Sequence, residues 1–200
     1  MRQFINIVED FQGHEIDFEE WFDQYGSDVA EGSGIAEELE EQGIDASEEA
    51  IRFAIEERFS SHLDNVLFRM SKPLYRGMTV TQDGLDAILQ GKGQVGIHWS
   101  VDPRIARRFA NEGDADIAVI ISAVAPANSV DIPRSVYLSF INYEEEDEIR
   151  LKPHSPVEIT GVIVVDRQAK DISSHSVNVT ASTGPNLYGS PYMESLTARL

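Results

Sequence analysis

A chain of 200 residues with 42% hydrophobic content, a formal net charge of −19 and no cysteine has room for one core domain plus extensions. It excludes disulfides, thiolate metal sites and a cysteine nucleophile. No run reaches the roughly 18 to 20 apolar residues of a membrane-spanning helix, and the start, MRQFINIVED, lacks the basic-then-apolar order of a secretory signal. The expectation is a soluble protein of the cytoplasm or of a host cell interior, with no membrane partner.

The first third reads as an acidic helical region. Residues 1–70 carry 4 Lys+Arg against 19 Asp+Glu, a net of −15, whereas residues 71–200 carry 12 against 16, a net of −4. Such a surface repels phosphates, so a nucleic-acid partner is not expected. Phe18, Trp21, Phe22 and Tyr25 form a short amphipathic piece that reads either as core packing or as a docking face. The stretch GSDVAEGSG at 26–34 reads as a flexible break. Beyond it, Ile51, Ala54, Ile55, Phe59, Leu63, Val66, Leu67 and Met70 recur at intervals of three or four. That spacing predicts one long helix over 48–70, capped by Ser47.

From Pro73 the pattern turns to strands. Leu74, Tyr75 and Arg76 lead into a turn at Gly77, and DGLDAILQ reads as a short helix before the glycine-rich GKGQVG. VGIHWSVD reads as a strand, and DPRIARRFANEG as a helix with Asp102 at its cap and Pro103 at its first position. IAVIISAVA, EIRLKP and VEITGVIVVD are strand-like. Helices first and then mostly strands argue an α+β domain. The predicted organisation is an acidic helical region over 1–70, a core over 71–167, and a flexible tail over 168–200, where large apolar residues are scarce. None of the histidines 14, 62, 98, 154 and 175 has a partner at helical i, i+4 spacing, so no metal site is expected. Neither G-x-x-x-x-G-K-[ST] nor G-x-G-x-x-G occurs.

Three stretches gain meaning together: PLYRGM around Arg76, GIHWSVDPRIARRFA around Ser100, and NYEEEDEIRLKP around Glu148. Each alone is unspecific, since YRG is common, a lone serine is usually a turn or cap residue, and an acidic run is usually a solvated loop. In this order, over roughly residues 71–166, the chain resembles the arginine–serine–glutamate class of mono-ADP-ribosyltransferases. The resemblance implies a mainly antiparallel core of two sheets and NAD consumed as a substrate, with release of nicotinamide. It also implies transfer of ADP-ribose to a protein acceptor. Breaking the nicotinamide–ribose bond passes through an oxocarbenium-like centre, which a carboxylate stabilises.

On that resemblance Glu148 bonds the ribose 2′-hydroxyl and Ser100 holds its carboxylate. Arg76, between Tyr75 and Gly77, binds a phosphate of NAD with its planar fork of donors, and His98 and Trp99 complete the NAD side. Glu146 faces the acceptor, because an E-x-E dyad in this family implies arginine, and Asp147 points away. The chain departs from the Ser-Thr-Ser common in relatives by having His98-Trp99-Ser100, which leaves open the first position's contact to the ribose. A histidine there also suggests the diphtheria-like branch, but that branch wants its histidine where Arg76 stands. Tyr143 and Phe109 are aromatic candidates for the nicotinamide pocket or the acceptor, Phe109 also reading as helix core. Two further readings stay open: NAD hydrolysis, and an inactive fold serving as an acidic protein-binding module. Small transferases of this class are typical of bacterial toxins and of phage proteins that modify host machinery.

Overall fold

The computed structural model describes residues 16–112, 117–141, 148–165 and 172–184. Its elements form two compact units, between which the chain crosses after Ser71, after Val130 and after Glu148.

The first unit is helical. Helix α1 (Phe18–Gly32) starts where the Asp17 carboxylate accepts the Glu20 N–H at 3.1 Å, with Glu19 and Glu20 in its first turn, so the cap and the acidic turn both complement the helix dipole. The helix runs through most of the stretch read as a flexible break. Tyr25, Gly26 and Val29 are buried, and their burial outweighs the poor helix propensity of glycine. The bend comes only at Gly34, with φ 72°, before α2 (Ile35–Glu41). Helix α3 (Glu48–Met70) is capped by the Ser47 hydroxyl, which accepts from the Ala50 N–H at 3.3 Å, and it buries Ala54, Ile55, Phe59, Val66 and Met70.

A fourth helix of this unit comes from later in the chain: α6 (Ile132–Ile141), inside the span assigned to the 71–167 core. Its apolar residues Val136, Tyr137 and Phe140 are buried. Trp21 sits with ring centroids 4.9 Å from Phe59 and 5.5 Å from Phe140, and its indole N–H donates to the Pro133 carbonyl at 3.0 Å. Tyr25 stacks on Tyr137 at 5.2 Å. Trp21 and Tyr25 therefore belong to the core of this unit. Aromatic pairs of this kind contribute roughly 0.5–1.5 kcal/mol each beyond their buried area.

The second unit is built on one mixed sheet of seven strands in the order β2-β7-β6-β4-β1-β3-β5. The strands are β1 (Leu74–Val80), β2 (Gln94–Val95), β3 (His98–Ser100), β4 (Ile117–Val124), β5 (Glu148–Arg150), β6 (Pro156–Val165) and β7 (Ile172–Thr183). Helices α4 (Gln82–Leu89) and α5 (Pro103–Glu112) accompany them, which makes the chain α+β. The expectation of two sheets is corrected to one. Strand β4 joins what would have been separate halves: it pairs antiparallel with β1 from Leu74↔Ala123 to Val80↔Ile117, and on its other side with β6 from Ala118↔Val165 to Val124↔Glu158. Only β2–β7, among the registers described, is parallel.

Two local expectations also change. Gly77 is not a turn but the middle of β1, opposite Ile120. A Cβ there would overlap the Ala106 carbonyl oxygen and lie 2.7 Å from the Ala110 nitrogen, so the missing side chain lets α5 lie directly on the strand. Ala106, Ala110, Ala118, Ile120 and Val165 form the resulting cluster, with Tyr75 packed against it.

The flexible tail over 168–200 is corrected for residues 172–183, which pair along β6 from Val165↔Ile172 to Pro156↔Ser182. The strand ends in a buried clamp: the Thr183 hydroxyl donates to the Lys152 carbonyl at 2.5 Å and accepts from the Ser155 N–H at 2.8 Å. Residues 185–200 lie outside the described residues. No helix among the described residues is long and apolar enough to cross a membrane.

Candidate active site

Strands β1, β3 and β5 are consecutive at one end of the sheet, and they carry Arg76, Ser100 and Glu148 respectively. The N–H of Leu151, one residue past β5, donates to the carbonyl of Ile97, one residue before β3, at 2.7 Å. The start of β3 thus lies beside the end of β5, so the two strands run in opposite directions. Ser100, the last residue of β3, consequently lies at the end of the pair where β5 begins with Glu148, a half-buried residue. Glu146, Asp147 and Tyr143 lie outside the described residues.

Arg76 is half-buried, and its guanidinium donates to the carbonyl of His98. Gly96 makes that approach possible, because a Cβ there would collide with the guanidinium, including a contact of 2.8 Å to Nε. The carbonyl of Gly96 also accepts the indole N–H of Trp99 at 2.8 Å. Sequence reading missed Gly96; its signal was a glycine two residues before His98 within GKGQVG.

The register sorts the remaining side chains by face. Tyr75 lies opposite Ser100, so the two share the sheet face covered by α5, where Tyr75 packs on the alanine cluster. Alternation sends Arg76 to the other face with its cross-strand partner Ile121, and it separates His98 and Ser100 from Trp99. The structure therefore brings Tyr75 and Ser100 together, and it has Arg76 and Ser100 leave the sheet from opposite faces. Trp99 is 2% exposed with its N–H bonded, which makes it part of the core. Gly77 is occupied by its contact with α5. Phe109, on α5, is half-buried with the Arg108 guanidinium 5.0 Å over its ring.

Ser100 is buried, and its hydroxyl accepts the N–H of Asp102 at 3.0 Å. Asp102 begins α5: its carboxylate accepts the Arg104 N–H at 2.8 Å and pairs with the Arg104 guanidinium at 2.6 Å. Those hydrogen bonds hold Asp102 below the usual carboxylate range. Arg104 is 89% exposed, so the pair adds little stability; it orients the loop joining Ser100 to α5.

No family model, curated protein or solved structure matches the chain. A functional reading therefore rests on these residues and their placement. Among the described residues no group of three His, Asp or Glu side chains is arranged to hold a metal ion.

Proposed function

We propose that the chain is an NAD-dependent mono-ADP-ribosyltransferase that releases nicotinamide and transfers ADP-ribose to an arginine side chain of a protein. The observation that supports this reading is the adjacency of β1, β3 and β5, which sets an arginine, a serine and a glutamate from three distant stretches on neighbouring strands. Glu148 supplies the carboxylate that stabilises positive charge developing at the ribose. Ser100 lies at the same end of the β3–β5 pair and positions it. Arg76, fixed through His98, supplies the permanent charge and forked donors that suit a phosphate. His98 shares a face with Ser100 and stands on the ribose side. Glu146 orients the acceptor guanidinium in this scheme, and with water as acceptor the same residues hydrolyse NAD.

Incubation with NAD and chromatographic quantification of nicotinamide tests the reading. The wild-type chain should release it, and Glu148→Gln should slow release on the order of 10²-fold or more, as expected for loss of a preorganised electrostatic contact. Absence of release, with and without a small guanidine acceptor, would overturn the proposal. One observation favours a second reading, an inactive fold serving as an acidic binding module: the Ser100 hydroxyl is engaged with the Asp102 N–H, as in a purely structural turn. The nicotinamide assay separates the two.

A further inference from the structure

A groove of about 230 Å³ opens between α2 and the first turns of α3, lined by Leu39, Ile44, Ala50, Phe53, Ala54 and Glu57 among others. A dry cavity of about 150 Å³ already accommodates benzene, so this one has room for a large apolar side chain. Apolar side chains line it beside the polar Gln42, Glu57 and Arg58. Gly43 turns the chain at φ 74° with its N–H on the Glu40 carbonyl, and the Ile44 N–H returns to the Leu39 carbonyl at 2.9 Å. This left-handed cap holds Ile44 at the rim, 46% exposed, facing the same groove as Phe53, 60% exposed. Two large apolar side chains exposed at one concavity mark a contact surface more than a random scatter would.

The charge around the groove restricts what can fill it. Residues 37–58 carry 9 Asp+Glu against 2 Arg. Both arginines are already paired within the unit, Arg58 with Glu38 at 2.6 Å and Arg52 with Glu19 at 2.5 Å. Glu40, Glu41, Asp45, Glu49, Glu56 and Glu57 are all exposed. A second copy meeting this face with its own would bring the same negative charge to the contact, and an acidic or neutral segment would leave the carboxylates uncompensated. We infer that the groove docks an amphipathic, lysine- or arginine-rich helix of a partner protein. One of its apolar residues enters over Phe53 and Ala54, and its cations meet the flanking carboxylates. The inference is independent of the NAD reading.

The test uses the full chain and three fluorescent peptides of about 14 residues. One has leucines at helical i, i+3, i+4 spacing with lysines elsewhere. The second replaces lysine by glutamate, and the third replaces leucine by serine. Fluorescence anisotropy should show the Leu/Lys peptide binding at least about 10-fold more tightly than either of the others. Phe53→Ser should weaken that binding about 10-fold or more, a loss of ~1.4 kcal/mol. Phe68→Ser, equally exposed on α3 at 57% but outside the groove, should leave it unchanged. Circular dichroism checks that both variants fold, and exposure of the replaced rings makes this the expected result. Equal binding of the Ser/Lys peptide would reduce the contact to charge attraction and overturn the inference, as would binding insensitive to Phe53→Ser. A dimer in sedimentation that Phe53→Ser dissociates would overturn it in favour of a second copy.

Discussion

Replacing Gly77 by alanine adds one methyl group at the place where a helix backbone lies on a strand backbone. The new Cβ would overlap the Ala106 carbonyl oxygen and lie 2.7 Å from the Ala110 nitrogen. Neither atom belongs to a flexible side chain, so relief requires α5 to retreat from β1 by on the order of 1–2 Å, opening voids around Ala106, Ala110 and Tyr75. Overpacking of this kind costs about 1–3 kcal/mol and occasionally more, and a clash between two backbones belongs at the upper end, about 3 kcal/mol. In a chain of this size that corresponds to a fall in Tm of roughly 6–12 °C. Urea unfolding of the two proteins gives the difference directly. Gly43→Ala is the matched control: it has φ 74° and nothing within 4 Å of a built Cβ, so it should cost only the left-handed strain of about 1–2 kcal/mol. A loss for Gly77→Ala of under ~0.5 kcal/mol, or one no larger than that for Gly43→Ala, would refute the close packing of α5 on β1.

Thr183→Val should cost about 1–3 kcal/mol in urea unfolding, since it removes the two half-buried hydrogen bonds to the Lys152 carbonyl and the Ser155 N–H, each contributing roughly 0.5–1.5 kcal/mol, whereas Thr183→Ser should cost less; equal losses would assign the effect to the methyl group. His62 stacks on Phe140 at 3.8 Å, and burial, then Arg58 and Arg69, hold its pKa below 6.5. The unfolded chain therefore takes up the proton first, so the His62 contribution is full above about pH 6.5 and falls as the pH drops through the unfolded value toward the folded one. His62→Gln should flatten that part of the urea midpoint measured against pH; an unchanged slope would show that other groups carry it. NAD at about 100 times its Kd should stabilise the chain by roughly 2.7 kcal/mol, read as a rise in Tm that Arg76→Ala abolishes; persistence of the rise in Arg76→Ala would remove that residue from the phosphate contact.

The parts of the fold legible in the sequence were those where burial leaves a periodic trace. Helix 48–70 is readable because Ala54, Ile55, Phe59, Val66 and Met70 recur on one face. The turn before α5 is readable from Asp102 and Pro103. Strand β7 left no such trace: much of its length is serine, threonine and asparagine, and its stability comes from the ladder to β6, which any residue with a backbone N–H can make. Helix α1 crosses a glycine-bearing stretch because Tyr25 and Val29 are buried in tertiary contacts that local propensity does not encode. Gly77 looked like a turn residue for the same reason: the strand continues through it, and the demand for glycine comes from α5, about 30 residues later in the chain.

The candidate site was legible as an order of motifs but not as an arrangement of faces. The order places Arg76, Ser100 and Glu148 on consecutive strands, which a linear pattern can suggest, because neighbouring strands are set by topology. Faces are set by register, and one residue of register reverses them. Tyr75, not Arg76, lies opposite Ser100, so a dinucleotide bound here would meet the arginine and the serine from different sides of the β1–β3 pair. Gly96 is the position whose missing Cβ leaves space for the Arg76 guanidinium beside the His98 carbonyl. The placement of the arginine in the proposed site therefore depends on Gly96. A side chain at Gly96 would displace the Arg76 guanidinium, and with it the proposed phosphate contact.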